Sequence, residues 1–295
     1  MSTKNLRKSY NKNHCWQYDI RLKNKEEDIV EALEQGLTQQ EIVSLKVSDF
    51  ELQFESKETI FQEAKDFITK HEWLGKIGLY PTHMFTARYK GILAGVVIMD
   101  MPNAFSNMLG KDTKNLERLI SRGACISWSP KNLASSLIMY AIKWMVKNTQ
   151  YRLFTAYSDP EAKELGTIYQ ACNFYYIGQK SGTRWKYLVN DKWVTDRTFR
   201  SRSMYKRLAK QLGIQWQKEW QEKDKIYFDK MPEDIVNKLK QASKDYQASC
   251  PKKQQPLKHK YAYVLGADKK ETKKLRKYFE ENNKIKPYPK DRGKL

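Results

Sequence analysis

Apolar residues near the N-terminus recur with a helical period. Over residues 26–70 they are spaced three or four positions apart, which predicts helices. Gly36 interrupts this pattern and predicts a helix end, and Thr38 with Glu41 predicts a capping box at the start of the next helix. The chain therefore opens with a helical segment, which we place at residues 1–70.

Two interpretations of this segment are open. In a helix-turn-helix, Val47 and Ser48 would precede a recognition helix, but the turn is one residue short of the usual pattern. Residues 26–66 also carry 12 acidic and 3 basic side chains, which a phosphate backbone would repel. A helical hairpin that packs on the next domain is the favoured interpretation.

The period changes at about residue 72, where short apolar runs begin to alternate with helical patterns. A turn at Tyr89-Lys90-Gly91 is predicted to join strands at 82–89 and 92–99. The next predicted elements are a helix at 112–121, a strand at 123–127, a helix at 129–147, a strand at 152–157, a helix at 164–172 and a strand at 175–179. This alternation predicts an α/β (α+β) fold, with a central mixed sheet flanked by helices and at least two parallel strands.

The last third of the chain is strongly basic. Residues 191–295 hold 29 basic and 14 acidic side chains, so they carry +15 of the formal net charge of +21. A helix is predicted at 197–212, a strand at 258–265 and a helix at 272–279. Folded, aromatic-rich segments of this charge are typical of proteins that bind polyanions. We predict three domains: the helical segment at 1–70, an α/β core at 71–190 and a basic nucleic-acid-binding extension at 191–295.

Composition and missing motifs argue against several classes of protein. The apolar run at 92–101 is far too short to span a membrane, and residues 1–13 lack the apolar core of a secretory signal. The four cysteines show no C-x-x-C spacing, which favours a reducing cytoplasm. The sequence has no P-loop, G-x-G-x-x-G or H-E-x-x-H motif, and the spacing of its four histidines supports no metal site.

One short run resembles part of a known enzyme fold. Residues 166–174, GTIYQACNF, follow a predicted strand and loop, and they resemble the L-Y-x-x-x-G-F helix and turn of the GCN5-related N-acetyltransferases (GNAT). Asn173 stands where that family usually has Gly, and Asn tolerates the left-handed conformation that ends a helix. The helix Tyr of that family often protonates the departing thiolate of coenzyme A, so the resemblance implies that Tyr169 is a general acid.

A wider set of runs resembles the bacteriophage Mom-like proteins, a divergent branch of that fold. In chain order these runs are EWLG at 72–75, YxGxLAGV at 89–96, IxRGAC at 120–125, WxPKN at 128–132, YSDPE at 157–161, GTIYQACNF at 166–174, FRSRS at 199–203 and KHKY at 258–261. The resemblance spans roughly residues 60–290. It implies an acyltransferase-like enzyme that adds a small methylcarbamoyl-type group to the exocyclic amine (N6) of adenine in DNA, so that the base no longer fits host restriction endonucleases.

Three candidate catalytic residues lie where a predicted strand ends. Asp159 follows the strand at 152–157, at the carboxyl edge of the sheet where α/β proteins bind ligands. Its carboxylate could accept a proton from the adenine amine or hold that amine by a hydrogen bond, and an Asx-type turn is the alternative role. Strand alternation places Tyr157 on the same face as Asp159, with Ser158 between them, and both are further candidates.

The donor site that the GNAT resemblance implies is the N-terminus of a helix. Ser129-Pro130-Lys131-Asn132 replaces the usual Gly-rich loop of the family, with Ser129 as the predicted cap. We predict that Ser129, Lys131 and Asn132 bind an acyl-CoA-type donor, although the missing glycines argue against ordinary acetyl-CoA. No residue is predicted as a metal ligand, and participation of a metal stays open on the sequence alone.

Double-stranded DNA is the predicted partner. The adenine amine is stacked and paired in a duplex, so chemistry on it requires base flipping, which needs phosphate clamps and aromatic surfaces. Candidates to stack on the flipped base are Trp128, Trp185, Tyr187 and Trp193. The predicted phosphate contacts are Arg197, Arg200, Arg202, Lys206, Arg207, Lys258 and Lys260.

Two other functions stay open on the sequence alone. One is an ordinary GNAT enzyme that acylates an amine of a small molecule or protein. The other is a non-catalytic DNA-binding protein that uses its acidic helical segment to contact a partner.

Overall fold

The computed structural model describes residues 14–78, 81–102, 104–181, 185–222 and 225–290. Contacts divide the chain into two compact units, residues 1–181 with 258–295 and residues 182–257. The predicted boundaries at 70 and 190 do not follow this division, because residues 51–55 and 258–264 are both strands of the main sheet. Part of the predicted C-terminal extension thus completes the first unit.

The structure contains strands and helices in alternation along most of the chain. The strands are β1 (Glu51–Glu55), β2 (Pro81–Tyr89), β3 (Ile92–Asp100), β4 (Glu117–Cys125), β5 (Leu153–Ser158), β6 (Tyr175–Ser181), β7 (Trp185–Val189), β8 (Lys192–Thr195), β9 (Gln221–Glu222), β10 (Lys225–Ile226), β11 (Lys252–Gln254) and β12 (Lys258–Val264). The helices are α1 (Trp16–Glu34), α2 (Gln39–Ser44), α3 (Lys57–His71), α4 (Leu133–Asn148), α5 (Thr167–Ala171), α6 (Arg202–Gln211), α7 (Glu233–Ser249) and α8 (Lys269–Asn282).

The first unit is organised around one mixed sheet. Its strands lie in the order β1-β2-β3-β4-β5-β12-β6. Neighbouring strands are antiparallel except β4 and β5, which run parallel. Helices α3 and α4 both pack on strands β2, β3 and β4, and successive residues of β3 from Leu93 to Asp100 are buried, so both faces of the sheet are covered. The predicted mixed sheet flanked by helices is confirmed.

The N-terminal segment differs from the helix-turn-helix interpretation. The predicted capping box is present at α2, where the Thr38 Oγ1 accepts the Glu41 N–H at 3.1 Å and the Glu41 carboxylate accepts the Thr38 N–H at 3.3 Å. In place of a recognition helix, residues 47–49 form a 3₁₀ turn and β1 follows as the edge strand of the sheet. Leu52 and Phe54 alternate with polar residues and pack on the core. This alternation of apolar and polar side chains is that of a strand, and the segment forms a strand rather than the predicted helix.

Two further sequence predictions are wrong in detail. The segment 112–121 is not a helix, because a 3₁₀ turn at 111–116 leads directly into β4, which pairs with both β3 and β5. Helix α4 begins at Leu133 rather than at Ser129. Asn132 occupies the cap position in the left-handed conformation, with φ of 75° and no side-chain cap, while the Ser129 carbonyl accepts the Arg21 guanidinium at 2.7 Å.

The second unit has a hydrophobic core of its own. Strands β7, β8 and β11 form a three-stranded antiparallel sheet, and α6 packs on α7. Phe199, Leu208 and Leu239 are among the buried residues of this core. The predicted basic helix at 197–212 begins only at Arg202, because residues 196–200 form a 3₁₀ turn. The Ser201 side chain accepts the Met204 N–H and so caps α6.

Candidate active site

The parallel strands β4 and β5 separate towards their carboxyl ends. Their pairing ends at Ile120 on β4 and Ala156 on β5. Beyond that point β4 continues to Cys125 beside β3, and β5 continues to Ser158 beside β12. A cleft of about 360 Å³ opens between the two strands. It lies at the carboxyl edge of the sheet, where α/β proteins bind ligands.

Residues from many elements of the first unit line this cleft. They come from α1, the turn after α3, strands β3 to β5, the first half of α4, the loop after β5, helix α5 and the start of β12. The main polar lining residues are Gln17, Arg21, Glu72, Arg122, Ser158, Asp159, Glu164, Tyr169 and Lys258. Three carboxylates thus meet in one cleft of a chain whose net charge is +21.

Two of these acids, Glu72 and Glu164, are held by backbone N–H groups. Glu72 follows α3 and is buried, and its Oε2 accepts the N–H groups of Leu74 at 3.1 Å and Gly75 at 2.9 Å. Gly75 has a φ of 60°, a left-handed conformation that lets the chain turn around the carboxylate. Glu164 lies in the loop after β5, and its Oε2 accepts the Asp159 N–H at 3.3 Å.

The environment of Glu164 favours the protonated acid. Burial raises the pKa of Glu164 to about 7, against hydrogen bonds from Asp159 and Trp73, and the negative charges of Glu72 and Asp159 add to the increase. Burial also raises the pKa of Glu72, while the charge of Arg122 opposes that rise. A carboxyl group that titrates near neutral pH both accepts and donates protons readily, as a general acid or base must.

Asp159 lines the cleft, and both of its carboxylate oxygens are engaged. Oδ1 accepts the Glu161 N–H at 3.0 Å, so the Asx-type turn considered for this residue is present. Oδ2 lies 3.3 Å from the Lys258 Nζ, with the Asp159 side chain 16% exposed. Strand β12 therefore brings Lys258, which the sequence assigned to DNA contacts, into the cleft beside the predicted catalytic acid.

Tyr169 projects from α5 into the same cleft. Its ring contacts those of Phe174 and Tyr261, each at a centroid distance of 5.4 Å. Burial raises the pKa of the Tyr169 hydroxyl, and the charges of Glu164 and Glu72 raise it further, so the phenol keeps its proton at neutral pH. Helix α5 ends as predicted, since Asn173 has a φ of 58° and the Phe174 N–H donates to the Tyr169 carbonyl at 3.0 Å.

The other two candidate catalytic residues, Ser158 and Tyr157, also line the cleft. Ser158 is 3% exposed, and within the described part of the chain its Oγ has no hydrogen-bond partner. An unsatisfied buried hydroxyl costs about 1–3 kcal/mol, so a ligand that bonds to it would recover this cost. The Tyr157 ring lies 5.7 Å from the Lys260 Nζ, which places the second predicted DNA contact of β12 next to the cleft.

The three residues predicted to bind the donor lie just before α4 and do not line the cleft. Lys131 and Asn132 are exposed, and Ser129 is buried beneath Arg21. Arg21 comes from α1 and donates from Nε to the Ser127 carbonyl at 3.0 Å. The Arg21 guanidinium is thereby fixed in the wall of the cleft. Ala134, in the first turn of α4, also lines the cleft. Donor binding by the loop residues stays a prediction.

The phosphate contacts predicted in the second unit lie on and before α6, and their role stays a prediction. Arg197 and Lys206 are exposed, and Arg202 begins α6. Arg200 forms an ion pair with Asp196. Arg207 packs its guanidinium over the Tyr246 ring at 4.6 Å. Lysine side chains of α6 are therefore more accessible to a phosphate than Arg207 is.

The aromatic residues considered for base stacking differ in exposure. Trp185 and Trp193 are 37% and 40% exposed. Tyr187 packs against the core of the second unit. Trp128 is buried and lies against Phe50, so it has no free ring face for a base and the prediction that it stacks on one is wrong.

Sequence reasoning missed Glu72, Glu164, Arg21 and Arg122 as cleft residues. Glu72 and Arg122 lie within the EWLG and IxRGAC runs, so those runs were the available signal. No local spacing marks Glu164 or Arg21, because the packing of α1 and the course of the loop after β5 bring them to the cleft.

Two structural features are not found in the described part of the chain. It contains no group of three or more His, Cys, Asp or Glu side chains arranged to hold a metal ion. Among the same residues, no helix has both the length and the apolar character needed to cross a membrane.

The seven-stranded mixed sheet, with its diverging parallel pair and the helix-and-turn at Tyr169, defines a GNAT-like α/β fold, as predicted. Residues 53–290 match the sequence model of the Mom protein family. The chain therefore belongs to the Mom protein family.

Solved structures similar to this chain include several acetyltransferases. The IAA acetyltransferase from Bacillus cereus is 11% identical, with 73% of this chain and 99% of that chain covered and a TM-score of 0.36. The ribosomal-protein-S5-alanine acetyltransferase from Vibrio fischeri is 14% identical, with 52% and 92% covered and a TM-score of 0.36. The Bacillus subtilis acetyltransferase in complex with CoA is 12% identical, with 73% and 97% covered and a TM-score of 0.32. No curated protein matches the chain.

Proposed function

We propose that this protein is a DNA-modifying transferase, which attaches a small acyl or methylcarbamoyl-type group to the exocyclic amine of adenine and thereby protects DNA from restriction endonucleases. Membership of the Mom protein family supports the proposal. The observation that carries it is the cleft between β4 and β5, where Glu164, Tyr169 and Asp159 meet. This set provides a proton acceptor, a proton donor and a charge partner in one site.

The cleft fits an acyl-CoA-type donor in two respects. The first turn of α4 has no side-chain cap and reaches the cleft at Ala134, and Arg21 adds a cation at the preceding loop. N–H groups at a helix N-terminus together with a nearby guanidinium favour anionic groups such as phosphates. The orphaned Ser158 Oγ offers a further hydrogen bond inside the cleft. When bound, a donor of this class supplies an activated carbonyl carbon.

Glu164 is the residue we assign to accept the proton that the adenine amine loses. The amine is a weak nucleophile, because the ring withdraws its lone pair, so removal of a proton during attack lowers the barrier. A pKa of about 7 leaves a large fraction of Glu164 deprotonated at neutral pH while keeping it a competent base. Asp159 holds Lys258 and, by its own charge, helps to keep the pKa of Glu164 raised.

Tyr169 is the residue we assign to donate a proton to the leaving group. Its hydroxyl stays protonated at neutral pH because burial and two carboxylates raise its pKa. The ring is fixed between Phe174 and Tyr261, so the hydroxyl is presented to the cleft with little loss of side-chain freedom on binding. Acid and base thus occupy one cleft with separate functions.

Mass spectrometry of nucleosides tests the proposal. DNA from cells that express the full chain is digested and compared with DNA from cells without it, and binding of coenzyme A to the purified protein is measured in parallel. The proposal expects a deoxyadenosine of increased mass. Unmodified DNA with coenzyme A binding would favour an ordinary GNAT enzyme, and unmodified DNA without it would favour a non-catalytic DNA-binding protein.

A further inference from the structure

A second concave surface lies at the opposite end of α4 from the cleft. It has a volume of about 1240 Å³ and runs between the last turns of α4 and one face of α8. Its basic lining residues are Lys143, Lys147, Arg152, Lys269, Lys273, Arg276 and Lys277, and its acidic ones are Asp268 and Glu280. We call this surface the lysine groove.

The lysines form a row on each wall of the groove. On α8, Lys269, Lys273 and Lys277 are four residues apart, so they lie on one face at intervals of about 6 Å. On α4, Lys143 and Lys147 have the same spacing. All five are exposed. Two facing rows of ammonium groups suit a ligand with regularly repeated negative charge.

The positive charge of the groove is only partly compensated, since its lining has seven basic and two acidic residues and Arg152 is paired with Glu271 at 3.0 Å. Among the described residues, no ion pair is formed by Lys143, Lys147, Lys269 or Lys273. The Lys277 Nζ lies 3.9 Å from a carboxylate oxygen of Glu281. The two acids of the lining have other partners. Asp268 caps α8 by accepting the Glu271 N–H at 2.8 Å, and the Glu280 carboxylate accepts the Tyr175 hydroxyl at 2.5 Å.

The composition of the groove points to a sugar-phosphate backbone rather than to bases. Of the described residues that line it, none is aromatic, so the groove offers no ring on which a base could stack. Lysine ammonium groups act as point charges and contact phosphates without reading sequence. Helix α4 has 16 residues and is about 24 Å long, and it reaches the cleft at one end and the groove at the other. The groove therefore lies within roughly 20 Å of the cleft, a distance that corresponds to about six base-pair steps of duplex DNA.

We propose that the lysine groove binds the phosphate backbone of duplex DNA flanking the base that enters the cleft. The choice of DNA over another polyanion rests on the proposed function. The groove is formed by α4, α8 and the adjoining loops of the first unit, and all of its lining residues belong to that unit. The first unit, which contains the cleft, would thus have its own surface for binding DNA independently of sequence.

Salt-dependent DNA binding tests the lysine groove. The full chain and its K143A/K147A/K273A variant are titrated with a fluorescent 30-base-pair duplex at 50 to 300 mM NaCl. Each phosphate contact contributes about 0.9 to the log–log salt slope, so the variant is expected to lower the slope by up to ~2.7. A K23A/K25A/K65A variant serves as the matched control and should leave the slope nearly unchanged. It removes three exposed lysines that lie outside the groove and form no ion pair with any residue that the structure describes.

Several outcomes would overturn this inference. An equal loss in both triple variants would mean that the effect is one of net charge, and an unchanged slope in the groove variant would mean that DNA does not lie there. If the groove variant loses binding to polyglutamate but keeps full affinity for the duplex, the groove binds an acidic protein rather than DNA. If the groove variant loses slope but no cell DNA carries modified adenine, the groove stands and the proposed function fails.

Discussion

At the scale of one residue, Glu164 shows how the fold shifts the pKa of an ordinary side chain. It was predicted to begin a helix at 164–172 but lies in the loop before Thr167, and burial and two neighbouring carboxylates raise its pKa to about 7. The charges of Glu164 and Glu72 help in turn to keep Tyr169 protonated. Three acids in one cleft therefore distribute protons between two residues that the proposed reaction needs.

Direct titration of Glu164 checks this account without a donor or DNA. In protein with ¹³C-labelled glutamate, the carboxyl signal that disappears in E164Q should titrate near pH 7, above the usual range for Glu. In D159N the midpoint should move to lower pH, because one of the charges that raise the pKa is removed. A Glu164 midpoint between pH 4 and 5 in the parent protein would contradict the proposed role as a base.

The residue scale also shows what the sequence could and could not reveal. Tyr169, Asp159 and Ser158 were predictable because they lie in runs with a strand-end or helix-and-turn signature, and all of them line the cleft. Glu164 and Arg21 were not, because their functional surroundings depend on contacts with residues distant in sequence. Burial and neighbouring charge decide a pKa, and neither can be obtained from spacing.

The loop between β5 and α5 is the element on which the cleft depends most. Gly166 has a φ of 67°, and a Cβ at this position would lie 2.4 Å from a ring carbon of Tyr261. The Tyr261 hydroxyl in turn donates to the Leu165 carbonyl. Only glycine therefore allows the loop to pass this close to β12 while Glu164 and Tyr169 face the cleft.

Replacing Gly166 by Ala should both strain and displace this loop. We expect G166A to lower the free energy of unfolding by about 2–4 kcal/mol, from left-handed strain of about 1–2 kcal/mol plus overpacking against Tyr261. Urea unfolding measures the change. The control is G91A, since Gly91 has a φ of 82° but nothing within 4 Å of the added Cβ. Equal losses in the two variants would show that the contact with Tyr261 is unimportant.

Local signals were reliable for elements whose own residues decide their structure. The β2–β3 hairpin, the capping box of α2 and the left-handed end of α5 follow their sequences. The segment 112–121 and strand β1 did not, because pairing with neighbouring strands outweighs their local preference. Tertiary pairing of this kind is not encoded within a short window of sequence.

The whole molecule is a sheet-based unit with a second unit inserted between two paired strands. Lys258 pairs with Ser181 across antiparallel strands, so the ends of the insertion lie next to each other. Each unit has its own cluster of buried hydrophobic residues. The second unit is thus an insertion in the sheet connectivity rather than a C-terminal extension.

Excision of the second unit tests this organisation. Replacing residues 182–257 with an Asn-Gly turn should leave a cooperatively folded protein, because a two-residue loop of this type joins antiparallel strands. Truncation after residue 190 should not fold, because it removes β12 from between β5 and β6. Circular dichroism and thermal unfolding of the two proteins measure the difference. Folded truncated protein would contradict the central place of β12.

The second unit is also predicted to contact phosphates through α6. Lys206 and Lys210 are exposed on this helix, so K206A/K210A should lower the log–log salt slope of duplex binding by up to ~1.8. Arg207 is a poor choice for this test, because its packing on Tyr246 contributes to the fold of the unit. Fluorescence anisotropy over a salt series gives the slope. An unchanged slope would restrict DNA binding to other surfaces.

The most direct test of the central claim compares nucleosides from the DNA of cells that express the parent chain, E164Q or Y169F. The parent should yield a deoxyadenosine of increased mass, and each cleft variant should reduce its formation by about 10²–10⁴-fold, as expected for loss of a general base or acid. E58Q, which changes an exposed acid of α3, should modify DNA at the parent level. Parent-level modification by E164Q and Y169F, or no modified deoxyadenosine in any sample, would contradict the proposed function of the cleft.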